Sequence, residues 1–341
     1  MVKVKKKKKK IRKEAPISSM FSQGGMKMLV LGGVAAIFYY TIYLLVSVEA
    51  QLEDVSLILV KNTSYGLGML FLVFGIVFVS YHFLKEKEFF KIYGGACLIS
   101  AALLTLPSVI HSQYEAGVFL KGQEITLKSF LTSHFFTFMT NTGKAYFLVG
   151  ALFLGIYLWG YRKKRLWAAA VFIAGAITLC IALVISFYNT YEMYKTFLEM
   201  YSTSKDLIIS RFLFPNLLND SSRLLVMLGV FLFPASYIGK RYVLRKWTGR
   251  VWTFGGIAGA FRGFLRLGID SEMIHNEIVS VRQSIMQLTP YSTSFKEYPL
   301  TIETLKEFYV KKMLPVYLEH TFVIAIFIGI ALLGIYLWAR E

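Results

Sequence analysis

Apolar runs of about 18 residues or more recur along this chain, and each is long enough to cross a bilayer as a helix. Seven are well defined: Met28–Val48, Gly66–Leu84, Ile92–Ile110, Ala145–Tyr161, Leu166–Tyr188, Leu224–Gly239 and Phe322–Trp338. An eighth, Val251–Ile269, is weaker because it carries Arg262 and Arg266. A chain built this way cannot hide its apolar surface in one soluble core. With 56% hydrophobic and 17% charged residues, disorder and a disulfide scaffold are excluded as well. The expectation is an all-α integral membrane protein of about eight transmembrane helices, or seven if 251–269 lies in the interface. The helices are read as four hairpins with amphipathic external helices. The expected division is a basic cytoplasmic tail, 1–27, and a polytopic membrane domain, 28–341. The first run, at 21 residues, is too long for a typical signal-peptide core and reads as a retained anchor.

Charge sets the orientation. Residues 1–27 hold ten Lys/Arg, including the run Lys5 to Lys10, and one acid, Glu14. Short basic links follow at Lys85–Lys91, Arg162–Arg165 and Lys240–Arg250. In the eight-span reading, the tail, links and C-terminus carry 23 Lys/Arg against 4 acids, and the opposite side carries 13 against 16. The bias places the N-terminus in the cytoplasm and the protein in a plasma (inner) membrane. The lysine run suits anionic lipid headgroups, at roughly 1 kcal/mol per residue near the surface. No aromatic residue interleaves it for base stacking, so nucleic acid is not an expected partner.

Self-comparison suggests a repeat of span, external segment, span and basic link, over 28–84, 92–161, 166–239 and 251–338. Thr126-Leu127-Lys128-Ser129-Phe130 precedes Gly155-Ile156-Tyr157-Leu158-Trp159, and Thr304-Leu305-Lys306-Glu307-Phe308 precedes Gly334-Ile335-Tyr336-Leu337-Trp338. Gly32-Gly33, Gly94-Gly95 and Gly255-Gly256 open spans, and Glu49, Glu192 and Glu272 each follow a glycine by 17 residues. The external segments look amphipathic: Met193, Tyr194, Phe197, Leu198 and Tyr201 share a helical face. Leu127, Phe130, Leu131 and Phe135 share another, and Ile274, Ile278, Val281, Ile285 and Leu288 form a seam. Asn62-Thr63-Ser64 and Asn219-Asp220-Ser221 match glycosylation sequons, a weak signal.

Candidate chemistry is sparse. No carboxylate lies deep within the seven well-defined runs, which counts against a proton- or sodium-coupled carrier. Cys97 and Cys180 sit inside apolar runs, and the five histidines are scattered, with His320 at a span edge beside Glu319. No catalytic residues, metal site or cofactor is expected. The exception is Val251–Ile269. At roughly 100° per residue, Gly255, Gly259, Gly263, Arg262 and Arg266 share one face, opposite Phe254, Ile257, Phe261, Phe264 and Leu265. The glycines permit close helix packing. The arginines read as an anion or headgroup site, an interhelical salt bridge, or interfacial snorkelling groups. Two functions follow. The first is a non-enzymatic subunit of a larger membrane assembly, of secretion or conjugation type, with other membrane subunits as partners. The alternative is a transporter or lipid-handling protein whose anionic substrate meets Arg262 and Arg266, and a membrane-embedded lipid enzyme stands third.

Overall fold

The computed structural model describes residues 16–49, 57–120, 130–161, 163–200, 205–239, 241–288 and 302–339. These form eight long helices and, among the described residues, no strand. They are α1 Pro16–Glu49, α2 Leu57–Lys85, α3 Glu88–Leu120, α4 Phe136–Leu158, α5 Lys164–Met200, α6 Phe214–Ile238, α7 Tyr242–Leu288 and α8 Ile302–Ala339. A π-helical turn, Phe130–Phe135, leads into α4, and a short α-turn and π-turn, Lys205–Ile208 and Ile209–Leu213, lead into α6. Six of the eight are long and apolar enough to cross a membrane: α1, α2, α3, α5, α6 with its lead-in, and α8. The protein is therefore a multi-pass helical membrane protein. The two below that threshold are α4 and α7, the helices that carry Lys144 and the pair Arg262 and Arg266.

Local chemistry ends the helices where the basic links begin. Glu86 takes a left-handed conformation (φ 54°), and its N–H reaches back to the His82 carbonyl at 2.7 Å. Gly160, at φ 123°, closes the end of α4, a conformation only glycine adopts freely. Chain direction reverses at both points.

Each long helix packs mainly on its two chain neighbours, and α8 closes onto α1, so the eight make a ring. Neighbours run antiparallel. A Cβ added at Gly33 would meet Val77, whereas one at Gly66 would meet Leu44. Gly249 faces Trp338 while Gly263 faces Ile324, and Gly25 faces Leu333 while Gly32 faces Ala325 and Ile326. Glycine and alanine hold the seams close. Ala36, Ala101, Ala102, Ala176 and Ala182 are all buried. Bulky apolar side chains line the outer wall instead: Leu31, Val34, Phe38 and Leu45 on α1, Ile177, Ile181 and Val184 on α5, and Phe254, Ile257, Phe261 and Phe264 on α7 are exposed. That distribution suits a lipid solvent, where tight van der Waals packing draws helices together.

Several expectations need correction. The segments read as separate external helices at Glu192–Met200 and Ile274–Leu288 are continuous with α5 and α7. No proline interrupts either junction, so the backbone continues its own hydrogen-bond ladder. Asn219-Asp220-Ser221 lies within α6 and Asn62-Thr63-Ser64 within α2, so neither sequon sits on a loop. The absence of a deep carboxylate describes the seven runs as drawn and does not extend to the longer helical segment around α6. The apolar run was drawn from Leu224, yet the membrane-capable helical segment runs Ile209–Ser236 and holds Asp220 at 4% exposure. Polar residues on one face lower the average hydropathy without shortening the helix. Residues 1–15, with the lysine run, and 121–129, with one arm of the repeat, lie outside the described residues.

Candidate functional site: inward-facing arginines at one end of the ring

On α6 the spacing Asn216, Asn219, Asp220, Arg223 is i, i+3, i+4, i+7, which places all four on one face. At roughly 100° per residue, that face lies opposite the exposed Phe214 and Leu228. On it Asp220 is buried and the two asparagines are half-buried, while Arg223 is exposed. On α7, Arg262 and Arg266 are roughly 40° apart and opposite the exposed stripe Phe254, Ile257, Phe261 and Phe264. On α8, Glu319 lies opposite the exposed Leu314 and Tyr317. Because the helices alternate in direction, these groups gather at one end of the ring, opposite the basic links.

Electrostatic contacts connect them. Arg262 stands in the fields of Arg223 and Arg266, which repel it, and of Glu319 and Asp270, which attract it. Lys144 on α4 stands in the field of Arg223, although α5 separates α4 from α6 in the ring. Arg266 Nη2 donates to Asn216 Oδ1 at 2.9 Å, and Arg262 Nε is buried without an acceptor. Among the described residues, Arg223, Arg262 and Arg266 form no ion pair within 4 Å. The expected interhelical salt bridge is thus absent there.

Of the nearby carboxylates, Glu319 is exposed and acts on Arg262 through its field, whereas the two aspartates have other partners. Asp220 accepts from Ser186 Oγ at 2.9 Å and Thr190 Oγ1 at 3.3 Å, both on α5, and from Asn219 Nδ2 at 3.3 Å. Asp270 Oδ2 lies 2.8 Å from His320 Nε2. His320, read from the sequence as a span-edge residue, is buried at 4% exposure. Outside the cluster, Arg211 pairs with Glu272 at 2.7 Å, a half-exposed contact between the α6 lead-in and α7. Guanidiniums crowd together, while the two aspartates are satisfied by hydroxyls, an amide and an imidazole. Such an arrangement attracts an anion and offers it planar, bidentate donors.

The glycines have a divided use. Gly255 faces Leu225 and Ser222 on α6, whereas Gly259 and Gly263 face Phe327 and Ile324 on α8. Among the glycines of α7 the closest backbone approach is at Gly256, where a Cβ would stand 2.5 Å from the Ala331 nitrogen and 2.6 Å from the Phe327 carbonyl. Sequence reasoning passed over Gly256, Asp220, Arg223, Lys144 and the Asp270–His320 pair. The polar i, i+3, i+4, i+7 spacing on α6 was the available signal for two of them. Cys97 and Cys180 are free thiols, and no group of three metal-ligating side chains occurs among the described residues. Comparison with protein-family models, curated protein sequences and solved structures finds no match.

Proposed function

We propose that this protein is a non-enzymatic transporter or lipid-handling protein of a plasma membrane, with an anionic substrate held inside the ring at Arg262 and Arg266. The supporting observation is the group of guanidiniums Arg223, Arg262 and Arg266, which act on one another and have no carboxylate within 4 Å among the described residues. Like charges repel, and more so where burial is partial, as at Arg262 and Arg266. A dianion between them reverses the sign of that interaction. In this reading α4 and α7 cross the membrane too, giving eight spans as four hairpins, with both termini cytoplasmic. The seam positions of α7, between α6 and α8, support its crossing. The polybasic N-terminus adds attraction to anionic headgroups, and no cofactor is required.

Purification in mild detergent followed by native mass spectrometry tests the site. A retained anionic ligand is expected on the wild type and absent from Arg262→Gln/Arg266→Gln. Equal ligand content in both would remove the site.

A second reading, a subunit of a larger assembly, draws on the length of α7. Its 47 residues reach about 70 Å, more than twice a hydrocarbon core of about 30 Å. The projecting turns expose Glu272, Met273, His275 and Asn276. A stoichiometric partner in the same purification, lost on cutting α7 back toward Glu272, supports this reading. A solitary chain carrying its ligand opposes it.

A further inference from the structure

The arginine cluster supplies hydrogen-bond donors only, yet one buried acceptor stands beside it. His320 Nε2 lies 2.8 Å from a carboxylate oxygen of Asp270. A carboxylate only accepts, so Nε2 carries the hydrogen, and whenever the ring is neutral the other nitrogen bears a lone pair. That nitrogen, Nδ1, is buried and has no partner. Asp270 is on α7 one helical turn beyond Arg266, on the side of the helix away from the exposed apolar stripe. Arg262 Nε is likewise buried without a partner, as a donor lacking an acceptor. The two orphans are complementary: one requires an acceptor and the other a donor.

We propose that the anion is a hydrogen phosphate group, either inorganic phosphate or a singly protonated phosphate monoester. Its charged oxygens accept from Arg223, Arg262 and Arg266, and its remaining P–OH donates to His320 Nδ1. Deepening the anion-site reading above, the inference depends on it. Sulfate offers the same shape and charge but no donor at neutral pH. A phosphodiester headgroup also lacks the P–OH. Seating either leaves Nδ1 unpaired, and sites with a committed buried polar group reject ligands that leave it unpaired. Asp270 acts as a positioning residue, because its charge fixes the hydrogen on Nε2 and so keeps Nδ1 an acceptor.

The test uses the full chain in detergent at pH about 7.5, where an ordinary imidazole is neutral and inorganic phosphate still carries its P–OH. Calorimetric titration compares inorganic phosphate with sulfate. Nanodiscs then compare phosphatidic acid with phosphatidylglycerol, as monoester and diester. Phosphate is expected to bind about tenfold tighter than sulfate, the factor one hydrogen bond provides. Competition by phosphatidic acid and not by phosphatidylglycerol identifies a lipid source, whereas binding of phosphate without lipid competition identifies the free ion. Asp270→Asn should narrow the phosphate–sulfate ratio while leaving sulfate binding intact, and His320→Phe should do the same. Arg262→Gln/Arg266→Gln should abolish binding of both ions. Equal affinity of the wild type for phosphate and sulfate overturns this inference and leaves the anion site standing. No binding of either ion overturns both.

Discussion

The seam between α2 and α3 and the seam between α6 and α7 are built alike and carry charge differently. Both are antiparallel and both use glycine at the contact: Gly75 and Gly94 face each other's carbonyls, and Gly255 faces the Ser222 carbonyl. At the polar end of the first seam, Lys61 on α2 is ion-paired with Glu115 on α3, with His111 Nδ1 3.4 Å from the same carboxyl group. At the same end of the second, Arg211 pairs with Glu272 and Arg266 donates to Asn216, while Arg223 and Arg262 have no carboxylate within 4 Å among the described residues. Charge in the first seam is neutralised between two helices. In the second, Arg223 and Arg262 remain without such a pair, and that difference is what the proposed anion site rests on.

The largest effect should come from breaking the packing. A leucine at Gly256 has no flexible neighbour to displace, since its Cβ meets the backbone of α8. Overpacking typically costs about 1–3 kcal/mol and more where backbone must move. Gly256→Leu is expected to lower the melting temperature sharply in detergent, or to prevent recovery of a monodisperse protein. Gly94→Leu should be milder, because its nearest contact is the Val79 side chain. A melting temperature for Gly256→Leu equal to wild type would show that α7 and α8 are not held as close as described.

Charge removal comes next and should act in opposite directions at the two seams. Lys61→Gln/Glu115→Gln removes a satisfied, partly exposed pair, so a small loss of thermal stability and unchanged anion binding are expected. Arg262→Gln/Arg266→Gln relieves repulsion with Arg223, so unliganded stability should hold or rise while anion binding is lost. A steep fall in unliganded stability for the arginine variant would mean that the arginines are structural, as Lys61 is. Lysine at position 266 adds a further distinction: a point charge supports weak attraction, but a planar bidentate contact does not survive it.

How far the sequence was legible follows from the same physics. The apolar runs sufficed for the helices, because spacing and length alone determine whether a helix can span a membrane. The two arginines on α7 were visible because a charge within an apolar run is conspicuous. Asp220 and Arg223 were not, since the polar cluster from Asn216 to Arg223 lowered the local average and looked like a loop. Read at helical spacing, the same cluster is one face of α6. Closure of α8 onto α1 had no sequence signal at all, because lipid-facing and seam-facing apolar residues are chemically alike. The Asp270–His320 pair joins two residues 50 positions apart, and only the helix pairing brings them together.

The orientation expectation places both termini in the cytoplasm and leaves residues near Ser280 outside. A reporter fused after Glu341 should behave as cytoplasmic, and a cysteine at Ser280 should label from outside. An external reporter would mean that α7 fails to cross, which would place the inward arginines at a membrane surface and remove the contrast between the two seams.

The smallest effect expected is at Gly268, and it sharpens what the glycines of α7 do. Gly255, Gly256, Gly259 and Gly263 each face another helix, but a Cβ at Gly268 would meet nothing within 4 Å. Gly268 continues the outward stripe of Phe261 and Phe264 and lies inside α7. There glycine contributes only backbone freedom, and alanine is favoured in a helix interior by about 1 kcal/mol. Gly268→Ala should therefore raise thermal stability slightly and leave anion binding unchanged. A loss of binding with unchanged stability would reveal a need for bending between the arginine turn and the projecting end of α7. In that event the site would depend on motion of α7 as well as on the charges it carries.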